Sequence, residues 1–109
     1  DRKNFTIITG GVNVYPAEIE GLLVSHDKVA DAAVFGVPHP EYGEAVTAVI
    51  QPVNWADATE QTAAELTEWM RDRLSSIKVP KTIDFLEQLP RMDNGKLYKR
   101  HLLDSYTAA

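Results

Sequence analysis

Two apolar runs separated by a turn-rich hexapeptide constrain this chain more than anything else in it. Val29 to Val37 is dense in Val, Ala and Phe and reads as a buried strand. Glu44 to Val53, with Val46, Ala48 and Ile50 alternating, reads as the next strand. Between them lies Pro38-His39-Pro40-Glu41-Tyr42-Gly43, a run of turn formers that predicts an antiparallel pair. With 109 residues the chain has length for one core and not for two.

The other elements arrange themselves around that pair. Asn4 to Thr9 and Val12 to Tyr15, broken by Gly10-Gly11, read as a small N-terminal hairpin. Pro16 opens a helix with Glu18 and Glu20 in its early turns and an Ile19, Leu22, Leu23 stripe. Asn54 to Thr59 reads as a polar loop. Thr62-Ala63-Ala64-Glu65 matches a capping box, and Leu66, Trp69, Met70 and Leu74 continue a helical stripe to about Ser75-Ser76. A third strand is expected over Thr82 to Leu86, and a last short helix over Leu97 to Asp104. The expected fold is α+β: a small three-stranded sheet with helices covering one face, preceded by the hairpin.

Near the C-terminus, Leu89-Pro90-Arg91-Met92-Asp93-Asn94-Gly95-Lys96 forms a turn that lifts a lysine out of an acidic protein. Asn94-Gly95 is a strong turn dipeptide, since both residues tolerate positive φ. Arg91, Lys99 and Arg100 lie within five residues of Lys96. The bland reading of such a triplet is a solvated hairpin turn. Charge distribution adds to the sharper one. From Ala17 to Asp72 there are eleven acidic and two basic residues, and from Arg73 to His101 seven basic and three acidic. A local positive region on a chain of net charge −5 suits a small polyanion and argues against general nucleic-acid binding.

Several chemistries are not expected. There is no cysteine, so neither disulfides nor thiol chemistry arise from the chain itself. His26, His39 and His101 match no metal-ligand spacing, and no metal site is expected. No nucleophile elbow or Walker A loop is present, and Gly10-Gly11 is not a dinucleotide fingerprint. No apolar run approaches the ~20 residues of a membrane span, so no transmembrane segment is expected and a cytoplasmic location is the default.

Three stretches, in this order and spacing, carry a family likeness. They are Asp1-Arg2-Lys3-Asn4 through Gly10-Gly11-Val12-Asn13-Val14-Tyr15-Pro16-Ala17-Glu18-Ile19-Glu20; Val34-Phe35-Gly36-Val37-Pro38-His39-Pro40-Glu41-Tyr42-Gly43-Glu44; and Lys78-Val79-Pro80-Lys81 followed by Leu89-Pro90-Arg91 and Asn94-Gly95-Lys96-Leu97-Tyr98-Lys99-Arg100. Over essentially all its residues the chain resembles the C-terminal domain of the adenylate-forming enzymes: acyl- and aryl-CoA synthetases, firefly luciferase and peptide-synthetase adenylation domains. The Gly-Gly-x-Asn-Val-Tyr-Pro form is closest to the CoA ligases.

The resemblance implies an acid–thiol ligase. A carboxylate attacks the α-phosphate of Mg-ATP, giving an acyl-adenylate and pyrophosphate, and a thiol, usually that of CoA, then attacks the acyl carbon and expels AMP. The small domain rotates between the steps. Residues 1–109 would be that mobile domain, inactive alone and partnered by a large N-terminal domain carrying the ATP, Mg2+ and acyl sites. By resemblance Lys96 is the adenylation lysine, Arg2 meets the nucleotide ribose and Asn4 is the hinge. Asn4 and Phe5 depart from the family's usual Asp or Lys and acidic residue. Gly10 and Gly11 match the loop closing over the pantetheine arm of CoA, and Lys78 and Lys81 a segment meeting its nucleotide phosphates. The alternatives are a luciferase-like or peptide-synthetase enzyme, a stand-alone nucleotide- or CoA-binding module, and an interaction domain whose basic corner is merely solvated.

Overall fold

The computed structural model describes residues 5–95 and 99–107. Its elements run β1 (Ile7–Thr9), β2 (Val12–Val14), α1 (Pro16–Leu23), β3 (Val29–His39), β4 (Gly43–Pro52), α2 (Glu60–Arg71), β5 (Thr82–Phe85) and α3 (Lys99–Thr107). The two apolar runs do pair antiparallel, from His39 opposite Gly43 to Val29 opposite Pro52. Gly43 has φ +83°, which lets the Pro40–Tyr42 connection turn tightly into β4.

The sheet has five strands rather than three. β1 pairs with β2, and its end, Thr9, also pairs with Gly43 of β4. β5 runs parallel to β4 from Thr82 opposite Thr47 to Phe85 opposite Ile50. β1 and β5 thus divide one edge of β4 between them, while β3 holds the other. The hairpin that was expected to precede the sheet is part of it.

Helices cover both faces of the sheet, not one. The strands are apolar on both sides, so both must be covered. On one face Ile19 and Leu23 of α1 and Leu66 and Met70 of α2 pack with Val34, Val46, Ala48 and Ile50. On the other, Ala33, Phe35 and Val49 are closed over by Leu89 and by Leu102 of α3. The Phe35 ring meets Tyr106 edge to face at 5.4 Å between centroids. The Tyr106 hydroxyl donates to Asp84, tying α3 to β5. Burial, followed by that carboxylate, raises the Tyr106 pKa above its ordinary value.

Local chemistry explains most element boundaries. α1 begins at Pro16, whose fixed φ and missing N–H suit the first helical position. The capping of α2 differs from expectation. Thr59, extended at φ −135°, accepts the Thr62 N–H at 3.2 Å, so Thr62 is the third helical residue and not the cap. α2 ends at Arg71, short of Ser75, although Leu74 still packs on the core. α3 is described from Lys99 and runs past Asp104 to Thr107, and its expected start at Leu97 lies outside the described residues.

Phe35 is fully buried, and its truncation tests whether the second face is a true core. Phe35→Ala is expected to lower the unfolding free energy by roughly 3–5 kcal/mol. Val53→Ala, at a side chain 67% exposed, should change it by less than about 0.5 kcal/mol. Equilibrium denaturation of both variants reads the difference, and a small Phe35 effect would show α3 to be loosely attached.

Candidate functional site

The glycine pair sits where three segments meet. Gly10 and Gly11 have φ of +55° and +80°, the left-handed region that L side chains adopt at a cost. The Gly10 N–H donates to the Tyr42 carbonyl at 2.9 Å, joining the β1–β2 turn to the β3–β4 turn. A Cβ on Gly10 would lie 3.4 Å from Cδ1 of Ile77, in the 3-10 turn Ser76–Lys78. The Gly11 position faces open space.

Lys81 and Lys78 both lie beside this turn, and neither is simply solvated. The Lys81 ammonium stands over the Tyr42 ring, 4.9 Å from its centroid, and His39 stacks on the same ring at 4.4 Å. Just before β5, the Lys81 N–H donates to the Val46 carbonyl of β4 at 2.9 Å, which sets where the side chain leaves the sheet. Lys81 also lines a groove of about 560 Å³ with Arg71, Ser76 and Val79. Lys78 is paired with Glu18 of α1, its ammonium 3.0 and 3.2 Å from the two carboxylate oxygens.

Glu44, which pattern reading passed over, fastens the hairpin carrying the glycines. Its carboxylate accepts the Ile8 N–H at 2.8 Å, beside the single residue pair that joins β1 to β4. The side chain can lie there because Gly36 has no Cβ; one would stand 2.9 Å from the Glu44 carboxyl carbon. Both residues fall in the second of the family-like stretches.

The other end of the β3–β4 hairpin carries the turn that leads to Lys96. Lys96 lies outside the described residues, as do Arg2 and Asn4. The turn itself is Met92–Gly95, closed by the Gly95 N–H donating to Met92 at 2.8 Å. Gly95 has φ +86°, whereas no described non-glycine residue has positive φ, so Asn94 reaches the turn without it. The cations flanking Lys96 in sequence are largely engaged within the domain. Arg91 forms a bidentate pair with Asp31 at 2.7 and 2.9 Å, and Lys99 pairs with Glu20 at 2.6 Å. Arg100 lies over the Phe5 ring at 5.9 Å.

Among the described residues no group of three or more His, Asp or Glu side chains could hold a metal ion. No described helix is long and apolar enough to cross a membrane.

Comparison with known proteins places this geometry in a family. The profile of the AMP-binding enzyme C-terminal domain matches residues 18–96. The chain belongs to that family. It is 43% identical over 99 residues to a feruloyl-CoA synthase of an Amycolatopsis species, covering 91% of this chain and 20% of that protein. It is 38% identical over 108 residues to a long-chain fatty-acid–CoA ligase of Mycobacterium tuberculosis, covering 99% of this chain and 21% of the ligase. A solved ATP-bound chimera of RpMatB and BxBclM superposes with a TM-score of 0.91 at 39% identity, over 95% of this chain and 21% of the chimera. The chain therefore spans about a fifth of the length of the relatives it matches.

If Glu44 holds the hairpin, Glu44→Ala should free the Ile8 amide. Loss of a charge-assisted hydrogen bond of about 1.4 kcal/mol corresponds to tenfold faster exchange with solvent deuterium. Residue-resolved hydrogen exchange should show that rise at Ile8 and little change at Ala48, in the centre of β4.

Proposed function

We propose that the chain is the mobile C-terminal domain of an AMP-forming acid–thiol ligase. The ligase activates a carboxylic acid with Mg-ATP and passes the acyl group to CoA. The observation that carries this reading is the separation of two loops on one rigid hairpin. The Gly10-Gly11 turn is bonded at Tyr42, and the turn preceding Lys96 is bonded at Asp31. Along β3 from Asp31 to His39, at about 3.3 Å per residue, the two ends stand ~26 Å apart. One small-molecule pocket cannot receive both at once. A domain that serves two half-reactions by turning one end and then the other towards the same pocket accounts for that separation.

In this reading Lys96 supplies its ammonium where charge spreads over the attacking carboxylate and the α-phosphate. Arg2 meets the ribose and Asn4 lies at the hinge. ATP and its Mg2+ are substrates held mainly by the large N-terminal domain, the partner of this one. After rotation, Gly10 and Gly11 let the pantetheine arm pass close to the backbone, where any side chain would intrude. Lys81, and to a smaller extent Lys78, face the phosphates of CoA.

The test is a pair of half-reactions on the whole ligase. Lys96→Ala should cut carboxylate-dependent ATP–pyrophosphate exchange by about a hundredfold or more, while thioester formation from pre-made acyl-adenylate persists. Exchange that survives the substitution removes Lys96 from the chemistry. Lys81→Met should raise the KM for CoA about tenfold with exchange unchanged. Lys78→Met should do less, because its charge is already matched by Glu18.

A further inference from the structure

The segment preceding Lys96 is strapped to the α3 face of the sheet at three points. Leu89 is buried in the second core, and its N–H donates to the Gln51 side chain at 2.9 Å. Gln51 stands directly opposite Asp31 in the β3–β4 register. Two residues on, Arg91 donates through Nε and Nη2 to both Asp31 oxygens. Its remaining nitrogen, Nη1, donates to the Gly95 carbonyl at 2.7 Å. One planar guanidinium thus joins a fixed strand residue to the peptide group between Gly95 and Lys96. On the far side of Lys96, Lys99 is held by Glu20, whose Oε2 also accepts the Val34 N–H of β3 at 2.8 Å.

We infer that Arg91, oriented by Asp31, is a positioning residue for the adenylation lysine. This rests on the proposed role of Lys96. The arrangement is poorly explained as a stability device. The Arg91 and Asp31 side chains are 43% and 20% exposed, and whatever their bidentate pair adds to folding does not account for the third donor being spent on the Gly95 carbonyl. What the guanidinium provides is a fixed plane and a fork of donors, which a lysine at the same place cannot reproduce. Catalysis by a point charge depends on where the charge sits, and displacement by about 1 Å can cost up to a hundredfold in rate. A restraint on the peptide bond entering Lys96 acts on that placement directly.

The test uses the whole ligase with Arg91→Lys, Asp31→Asn and, as reference, Lys96→Ala. Arg91→Lys and Asp31→Asn should each lower the kcat of ATP–pyrophosphate exchange ten- to a hundredfold. KM for ATP and for the acid should move less than about twofold, as expected when an interaction serves the transition state and not substrate binding. Thioester formation from pre-made acyl-adenylate should stay near wild type, and the thermal midpoint should shift by only a few degrees. Should Arg91→Lys fail to fold, Asp31→Asn, which keeps side-chain size, decides the matter alone. Exchange at wild-type kcat in these variants, or equal losses in both half-reactions, overturns the positioning role. If Lys96→Ala itself leaves exchange intact, the fault lies with the role of Lys96. If Lys96→Ala abolishes exchange while Arg91 and Asp31 variants keep it, only the positioning inference falls.

Discussion

The long antiparallel pairing of β3 with β4 is the constraint from which the rest of the structure follows. It makes two faces that are both apolar, so helices must pack on each. It leaves one edge of β4 open, long enough for β1 at one end and β5 along the middle. It also sets two ends far enough apart to carry separate loops. An irregularity in its register tunes the first and the last of these consequences. Between Val29 and Asp31 the pairing slips by one residue, so Val29 joins the face of Ala32 and Val34 although its parity is that of Ala33 and Phe35. Asp31 falls beyond the slip and shares the parity of the α3 face, where Arg91 meets it.

β3 lies at the edge of the sheet, and an edge strand is a template for unwanted pairing unless it is blunted. Carboxylates do the blunting here. The Val34 N–H goes to Glu20, and the Ala32 N–H goes to Asp31. Pro38 further along has no N–H to offer. The same two carboxylates receive Lys99 and Arg91. Capping the edge and fixing the residues on either side of Lys96 are therefore one set of interactions, which joins fold protection to the proposed chemistry.

Much of this was legible in the residues, and the gaps have physical causes. Strand positions, the start of α1 at Pro16 and the glycine turn depend on local signals, and each occurs where those signals lie. The cap of α2 was misplaced because Thr59-x-x-Thr62 and Thr62-x-x-Glu65 offer overlapping hydroxyls, and only backbone conformation selects the first. The second covered face was missed because alternation in Val46, Ala48 and Ile50 marks one side, while Ala33, Phe35 and Val49 mark the other in the same apolar run. For the site, glycines and lysines announce themselves by type. Tyr42 beside Lys81, Gly36 beneath Glu44 and Asp31 under Arg91 do not, because contacts between residues distant in sequence become neighbours only through sheet register.

The separation of acidic middle from basic C-terminal third also changes meaning once the chain folds. Arg91 with Asp31, Lys99 with Glu20 and Lys78 with Glu18 each join a cation of the basic part to a carboxylate of the acidic part. These ions mark where segments dock, and a charge neutralised by a carboxylate has little left to offer an incoming anion. Lys81 differs. Among the described residues it forms no ion pair, and an aromatic face holds it in place. An aromatic ring restrains an ammonium without cancelling its charge. Position beside the glycine turn, restraint by Tyr42 and an unspent charge make Lys81 a better candidate for the CoA phosphates than Lys78, although the two are three residues apart in one segment.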